Sequence, residues 1–152
     1  MSTIYTEAEI ALLREGGKRL AAVLREVAQS VRPGITTLLL DQIAERLIRQ
    51  LGDTPSFLHY KPAGARFPYP RSLCVSVNNE VVHGIPGPRV LKEGDIVGLD
   101  LGITHKGLVT DMAVTVTVGT TDEVAKKLID ITREALAVGI AAARGGARVG
   151  DI

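Results

Sequence analysis

The sequence predicts an α+β domain in which two helices precede a set of antiparallel strands and a third helix follows them. Two segments with helical spacing lie before residue 52, and segments of alternating apolar residues occupy much of residues 72–118. Helices that are separate from the strands along the chain typically cover one face of an antiparallel sheet. With 152 residues, we expect a single domain spanning 1–152.

The three predicted helices have recognisable starts or ends. Thr6 is followed three residues later by Glu9, which is the capping-box pattern, and Gly16 and Gly17 mark a place where another part of the chain passes close. The second helix is predicted from about Thr37 to Gln50, before Gly52. The third begins near Thr121 or Asp122 and runs to Arg144. Its predicted apolar stripe consists of Val124, Leu128, Ile131, Leu136 and Ile140.

Two stretches of alternating residues predict β-hairpins. The segment SLCVSVNNEVVHGIP is predicted to turn at Asn78–Asn79. The segment GDIVGLDLGITHKGLVTDMAVTVTVG is predicted to turn at His105–Lys106, with Val97, Leu99 and their alternate neighbours facing a core. Residues 55–71, rich in proline, glycine and aromatic side chains, form a predicted long surface loop of the kind that often carries function.

A turn at His105–Lys106 places Asp100 directly opposite Asp111. Opposed residues of an antiparallel pair have Cβ atoms about 5 Å apart, and like charges at that distance repel. Small residues surround the pair on the same face, namely Gly98, Gly102 and Ala113. A divalent cation would reverse the repulsion, and carboxylate oxygens suit Mg, Mn, Ca or Fe(II). On spacing alone, a solvated polar face with a shifted register explains the pair equally well.

Composition excludes several classes of function. The net charge is +1, and no basic block indicates nucleic-acid binding. Cys74 is the single cysteine, so an internal disulfide is excluded and a cytoplasmic location is expected. We expect neither a signal peptide nor a membrane-spanning segment, because the first residues lack a basic start and no apolar stretch is long enough.

Several segments together carry a resemblance to a known family. NNEVVHGIP, LKEGDIVGLDLG and GLVTDMAVTVTVG resemble consecutive motifs of the type I methionine aminopeptidases, which have the pita-bread fold. GGKRLAAVLREV, VRPGITTLLLD and YPRSLCVSVN match the same family in the same order. The resemblance covers essentially all 152 residues. It implies half of a pita-bread fold and metal-dependent removal of N-terminal methionine from nascent proteins.

The resemblance also implies roles for individual residues. Asp100 would ligate one divalent metal ion and Asp111 would bridge two, with Mn, Fe, Co or Zn as the candidate metals. His83 would be the catalytic histidine that contacts the substrate near the scissile amide. Tyr69 and Cys74 match residues that line the pocket for the methionine side chain. Phe67 is the nearest candidate for a second pocket aromatic, because the loop before Tyr69 contains extra residues.

Plainer roles remain open for some of these residues. Cys74 is as readily explained by packing inside a strand as by a pocket role. Tyr69, between two prolines, fits a role in shaping the loop, and a lone histidine such as His83 is often structural. We expect His105, in the predicted turn, to be solvated, and we assign no role to His59.

Members of the family continue into a second half that supplies a metal-binding histidine and two metal-binding glutamates. That half is not part of this sequence. Three hypotheses follow: an aminopeptidase, a non-catalytic half-domain that binds metal or peptide, or an inert fragment. The exposed surface that remains predicts a homodimer in which two copies imitate the internal symmetry of the family fold.

Overall fold

The computed structural model describes residues 4–152 and contains a four-stranded antiparallel sheet with three α-helices. Among these residues, no helix combines the length and apolar character needed to cross a membrane. The helices are α1 (Glu7–Gln29), α2 (Thr37–Gln50) and α3 (Glu123–Ala142), and a short 3-10 helix covers Val149–Asp151. The strands are β1 (Thr54–Pro55), β2 (Leu73–Val77), β3 (Ile96–His105) and β4 (Leu108–Thr117).

The predicted helix starts and ends are largely confirmed. Thr6 and Glu9 form the reciprocal capping box of α1, in which the Glu9 carboxylate accepts a 2.7 Å hydrogen bond from the Thr6 amide. Helix α2 has the predicted bounds, and Gly52 follows it with a φ of +78°. In α1, Gly16 is buried, and a Cβ there would lie 3.4 Å from His105 and Thr110. The hairpin therefore packs closely against α1 at the predicted position.

Strand β3 is the centre of the sheet, since β1 and β2 pair along one of its edges and β4 along the other. Its alternate residues Val97, Leu99, Leu101 and Ile103 are completely buried. They pack against apolar side chains of α1 and α2, among them Leu20, Val27, Leu40 and Ile48. Because both helices cover this face, the opposite face, which carries Asp100, is left toward a cleft.

The predicted register of the β3–β4 hairpin is wrong by one residue at the turn. The turn residues are Lys106 and Gly107, with φ values of +47° and +84°, and His105 is the last residue of β3. Two positive φ values are typical of the two-residue turns that match the twist of a hairpin, and glycine favours that position. Asp100 consequently pairs with Ala113, and Asp111 with Gly102. The two aspartates share a face but lie diagonally.

His105 is not solvated, contrary to the expectation from its position near the turn. Its side chain is buried, and Nδ1 lies 2.7 Å from the Asp53 carboxylate. The Arg19 guanidinium lies 3.6 Å from the other oxygen of Asp53. These contacts join α1, the start of β1 and the end of β3. His105, which the predicted turn placed on the surface, is therefore a structural residue.

The segment after β2 does not form the predicted second strand. A turn does occur there, in which the Glu80 amide donates to the Val77 carbonyl, but residues 78–89 are irregular. Beyond this turn, the Val75 amide of β2 donates to the Gly84 carbonyl at 2.9 Å. Alternating apolar residues had suggested a strand, but Val81 and Val82 are exposed.

Helix α3 does not bury its predicted apolar stripe. Within the described residues, its one buried residue is Gly139. The side chains of the predicted stripe are more than half exposed: Val124, Leu128, Ile131, Leu136 and Ile140. The helix begins one residue after its N-cap Asp122, which accepts a 2.7 Å hydrogen bond from the Ala125 amide. The N-terminus of α3 is therefore capped, whereas the apolar side chains of its predicted stripe remain exposed.

We expect His105→Ala to lower the free energy of unfolding by about 1–3 kcal/mol, because it removes the hydrogen bond to the buried Asp53 carboxylate. Chemical denaturation followed by circular dichroism measures the change. The control is Arg25→Ala, an exposed position of α1, for which a change within about 0.5 kcal/mol is expected. Equal stability of the two variants would contradict the structural role of His105.

Candidate functional site

An open cleft of about 970 Å³ lies over the face of the sheet that carries the aspartates. The structure brings all six sequence-predicted site residues to this cleft: Phe67, Tyr69, Cys74, His83, Asp100 and Asp111. The floor comes from β2, β3 and β4, and the walls come from the two irregular segments on either side of β2. The cleft therefore combines an acidic floor with aromatic and apolar walls.

The carboxylates of the floor lie in an environment that disfavours their charge. Burial, reinforced by the charge of Asp111, raises the pKa of Asp100, and His83 opposes this shift. Desolvation by the surrounding protein also raises the pKa of Asp111, although that residue reaches solvent. Asp100 Oδ1 is buried and has no hydrogen-bond partner among residues 4–152. A buried carboxylate oxygen without a partner is costly, and a bound cation is the kind of group that would compensate it.

Cys74 and Tyr69 form the side of the cleft next to Asp100. Cys74 is the strand partner of Asp100 and is 4% exposed. Burial raises the pKa of the Cys74 thiol, so the thiol stays neutral. The Tyr69 hydroxyl donates to the carbonyl oxygens of Leu73 and Gly84, at oxygen–oxygen distances of 3.0 and 3.2 Å. Burial raises the pKa of this hydroxyl as well. Tyr69 thus fixes the loop before β2 as well as lining the cleft.

His83 is held at the rim by an unusual backbone conformation. Its φ is +59°, in the left-handed region, and its side chain is exposed. The neighbouring Gly84 packs directly on β2, and a Cβ at Gly84 would clash with the Val75 carbonyl. Glycine is needed here because the backbone approaches the strand more closely than any side chain would permit. This contact, together with the Tyr69 hydrogen bond, positions His83 beside the carboxylates.

Two aromatic residues of the cleft, Phe57 and Tyr60, were missed in the sequence. The Phe57 ring lies over Gly102, the strand partner of Asp111, and makes an edge-on contact with Tyr69 at a centroid distance of 6.5 Å. Phe67 lies at the outer rim and is 69% exposed, with the Arg66 guanidinium 5.1 Å from its ring. The signal that could have indicated Phe57 is the glycine at position 102, which leaves room for a ring.

Asp100 and Asp111 are ligands of the type that divalent cations prefer, but two carboxylates do not complete a coordination shell. Asp100 and Asp111 offer hard oxygen ligands, and the unpartnered Asp100 Oδ1 is available to one. Within residues 4–152, no group of three or more histidine, cysteine, aspartate or glutamate side chains is arranged to hold a metal ion. These two carboxylates would therefore contribute part of a coordination shell, with further ligands coming from water or another polypeptide segment.

Comparison with known proteins agrees with the fold and identifies a family. Residues 11–152 match the sequence profile of Metallopeptidase family M24. The chain is 42% identical over 150 residues to the methionine aminopeptidase of Aquifex aeolicus, covering 98% of this chain and 58% of that protein. It is 44% identical over 147 residues to methionine aminopeptidase 1 of Bacillus subtilis, covering 97% of this chain and 57% of that one.

Solved structures give the same result. The crystal structure of methionine aminopeptidase from Rickettsia prowazekii superposes with a TM-score of 0.86 at 34% identity, covering 92% of this chain and 54% of that one. Escherichia coli aminopeptidase P, at 22% identity and a TM-score of 0.77, shares the fold. The chain therefore spans somewhat more than half the length of these methionine aminopeptidases.

The fold and its relatives define a class, the metal-dependent peptidases with the pita-bread fold. The chain belongs to metallopeptidase family M24. The resemblance to methionine aminopeptidases inferred from the sequence motifs is confirmed, and so is the half-length match. Membership implies a hydrolase-like protein and a divalent metal cofactor, with Asp100 and Asp111 as the residues able to contribute ligands.

We expect Gly102→Ala to displace the Phe57 ring, because the new Cβ would lie 2.8 Å from Phe57 Cε1 and 3.2 Å from Ser56 Cβ. A loss of about 1–2 kcal/mol is typical of such overpacking. Denaturation measures the loss, and the NMR resonances of the Phe57 ring report its movement. Gly98→Ala on the same strand face is the matched control, since its Cβ would make ordinary contacts at 3.7 Å or more. Unchanged Phe57 resonances in Gly102→Ala would contradict the close packing.

Proposed function

We propose that this chain is the part of a methionine aminopeptidase that binds divalent metal with two aspartates and receives the N-terminal methionine of a peptide. The observation that carries the proposal is the convergence of Asp100, Asp111, His83, Cys74 and Tyr69 on one cleft, in a chain that matches methionine aminopeptidases over nearly all of its length. The single buried cysteine fits the reducing cytoplasm, where nascent chains are processed.

In this proposal, Asp100 and Asp111 hold divalent metal on the floor of the cleft. The ion would be Mn, Fe, Co or Zn, and it would supply Lewis-acid polarisation of a carbonyl and a water of lowered pKa. The desolvated carboxylates favour such an ion, because a cation compensates both their burial and their mutual repulsion. The small residues Gly98 and Ala113 share the carboxylate face of the sheet and add little bulk beside the two side chains, while Gly102 leaves room for the Phe57 ring.

The walls of the cleft would receive the peptide. Cys74, Phe57 and Tyr69 surround the inner part with apolar or neutral surface, which suits the unbranched thioether side chain of methionine. Phe67 and Tyr60 extend this surface to the rim. His83, exposed at the rim, lines the same cleft and would donate a hydrogen bond to the amide that follows the methionine.

The test of activity is release of methionine from a Met-Ala-Ser peptide by the chain with added Mn²⁺, Co²⁺ or Fe²⁺. Asp111→Asn provides the matched inactive control, since it keeps the size of the side chain and removes its charge. Metal-dependent release that is lost in Asp111→Asn supports an aminopeptidase. Absence of release with every metal would overturn catalysis by this chain alone.

One observation favours a second candidate, a half-domain that binds metal or peptide without turnover. Within residues 4–152, the structure offers two carboxylates and no third acidic, histidine or cysteine side chain in a ligating arrangement. No side chain in the lining of the cleft offers a further carboxylate to act as a general base. Calorimetric binding of Mn²⁺ without methionine release would support this second function.

We expect Asp100→Asn or Asp111→Asn to abolish Mn²⁺ binding measured by isothermal titration calorimetry, because each removes one of the two charged ligands. Without metal, either variant should be more stable than the wild type by up to about 1 kcal/mol, since a like-charge pair on one strand face disappears. Asp95→Asn, a carboxylate outside the cleft, is the control and should bind Mn²⁺ as the wild type does. Wild-type affinity in Asp111→Asn would contradict the metal assignment.

We expect replacement of His83 to lower turnover while Mn²⁺ binding is unchanged, because the proposed role is contact with the peptide. His83→Asn is the informative variant, since asparagine tolerates the left-handed backbone that His83 adopts. Any kcat/KM that the wild type shows should fall about 2- to 10-fold, the loss expected from one hydrogen bond to an uncharged amide. Loss of Mn²⁺ binding in His83→Asn would instead make His83 a metal ligand.

A further inference from the structure

Helix α2 carries two buried polar side chains among the apolar residues that face the core. Thr37 is 3% exposed and Asp41 is 4% exposed, and the two lie four residues apart on the buried face of the helix. Burial raises the pKa of the Asp41 carboxyl, against the opposing effect of its hydrogen bonds. A buried carboxylate is costly unless it is paired, so the partners of these side chains indicate what they are for.

Asp41 holds the wall of the cleft that leads into β2. Its Oδ1 oxygen accepts hydrogen bonds from the backbone amides of Ser72 and Leu73, at 2.8 and 3.0 Å. These two residues lie between Tyr69 and Cys74 in the chain, and both Tyr69 and Cys74 line the cleft. The Asp41 carboxylate therefore fixes the backbone that joins two lining residues.

Thr37 holds the other wall, which carries His83. Its hydroxyl donates to the Gly87 carbonyl at 3.0 Å and accepts from the Gly87 amide at 2.9 Å. The Leu38 amide donates to the same carbonyl at 2.9 Å, and the Thr37 amide donates to the Arg89 carbonyl at 3.0 Å. The first turn of α2 thus binds the chain a few residues after His83.

Arg71 connects the two walls. It belongs to the segment before β2, and its Nε donates to the carbonyl of Pro86 in the segment after β2, at 3.1 Å. The same nitrogen lies 3.8 Å from Asp41 Oδ2. The side chains of Thr37, Asp41 and Arg71 therefore contact both walls from one side of the molecule. Satisfied polar networks in the protein interior favour a single arrangement of the groups that they join.

We propose that Asp41 and Thr37 are positioning residues of the cleft, each of which sets one of its walls from α2. Neither side chain lines the cleft, so each acts through the backbone that it holds. The separation of the walls sets the width that is open to a bound side chain. The consequence for a peptide rests on the proposed function, whereas the positions of the walls can be measured without metal or turnover.

Cys74 provides the readout for the first wall, because it is the single cysteine of the chain and is 4% exposed. Its rate of alkylation by iodoacetamide reports opening of the wall. Asp41→Ala should raise this rate about tenfold or more, because the amides of Ser72 and Leu73 lose their acceptor. Asp41→Asn keeps an acceptor oxygen in the same place and should stay within about threefold of the wild type.

His105→Ala separates this local effect from global unfolding, since His105 lies beyond the part of β3 that pairs with β2. The two variants are compared at denaturant concentrations that give them equal free energies of unfolding. Global unfolding then exposes Cys74 equally in both, and any difference in rate is local. An alkylation rate in Asp41→Ala no higher than that in His105→Ala would overturn the positioning role of Asp41, whether or not the chain releases methionine.

Thr37→Val tests the second wall and decides the proposal if Asp41→Ala does not fold. Valine is similar in shape to threonine and lacks the hydroxyl that pairs with Gly87. The Cε1 proton resonance of His83, identified by its loss in His83→Asn, should move, while the Cys74 alkylation rate stays within about twofold of the wild type. An unchanged His83 resonance would overturn the role of Thr37. An increase in the Cys74 rate as large as that in Asp41→Ala would overturn the assignment of one wall to each residue.

Discussion

The rest of the structure depends on the alternation of residues along strand β3, because successive side chains lie in two different environments. Val97, Leu99, Leu101 and Ile103 are completely buried beneath α1 and α2. The residues between them, Gly98, Asp100 and Gly102, lie on the opposite face of the sheet, where Asp100 lines the cleft. Since successive side chains point to opposite faces, the burial of one set fixes the position of the other. The candidate site is thus held in place by the core behind it.

The cleft is built around close approaches that small residues permit. Gly84 lets the segment that carries His83 lie directly on β2, and Gly102 leaves room for the Phe57 ring beside the carboxylates. The Tyr69 hydroxyl connects the two walls, because it donates hydrogen bonds to a carbonyl on β2 and to a carbonyl on the segment that carries His83. The positions of the site residues therefore depend on backbone contacts as much as on the side chains themselves.

Helix α3 contrasts with this well-packed part of the molecule. The core of α1, α2 and the sheet is closed, while α3 is well capped but leaves its apolar side chains exposed. Because the hydrophobic effect stabilises a fold only through apolar surface removed from water, α3 contributes little to the burial that stabilises the core.

The sequence by itself determined the elements whose signals are local. Helix α2 and the capping box of α1 were predicted to the residue, and the alternation of β3 and β4 predicted both the core face and the carboxylate face. The family motifs indicated the six residues that converge on the cleft. Tertiary structure alone decided the turn at Lys106–Gly107, the burial of His105 against Asp53 and the contact of Phe57 with Gly102. These depend on left-handed backbone angles and on contacts between residues 45 and 52 positions apart, which no local pattern of residues encodes.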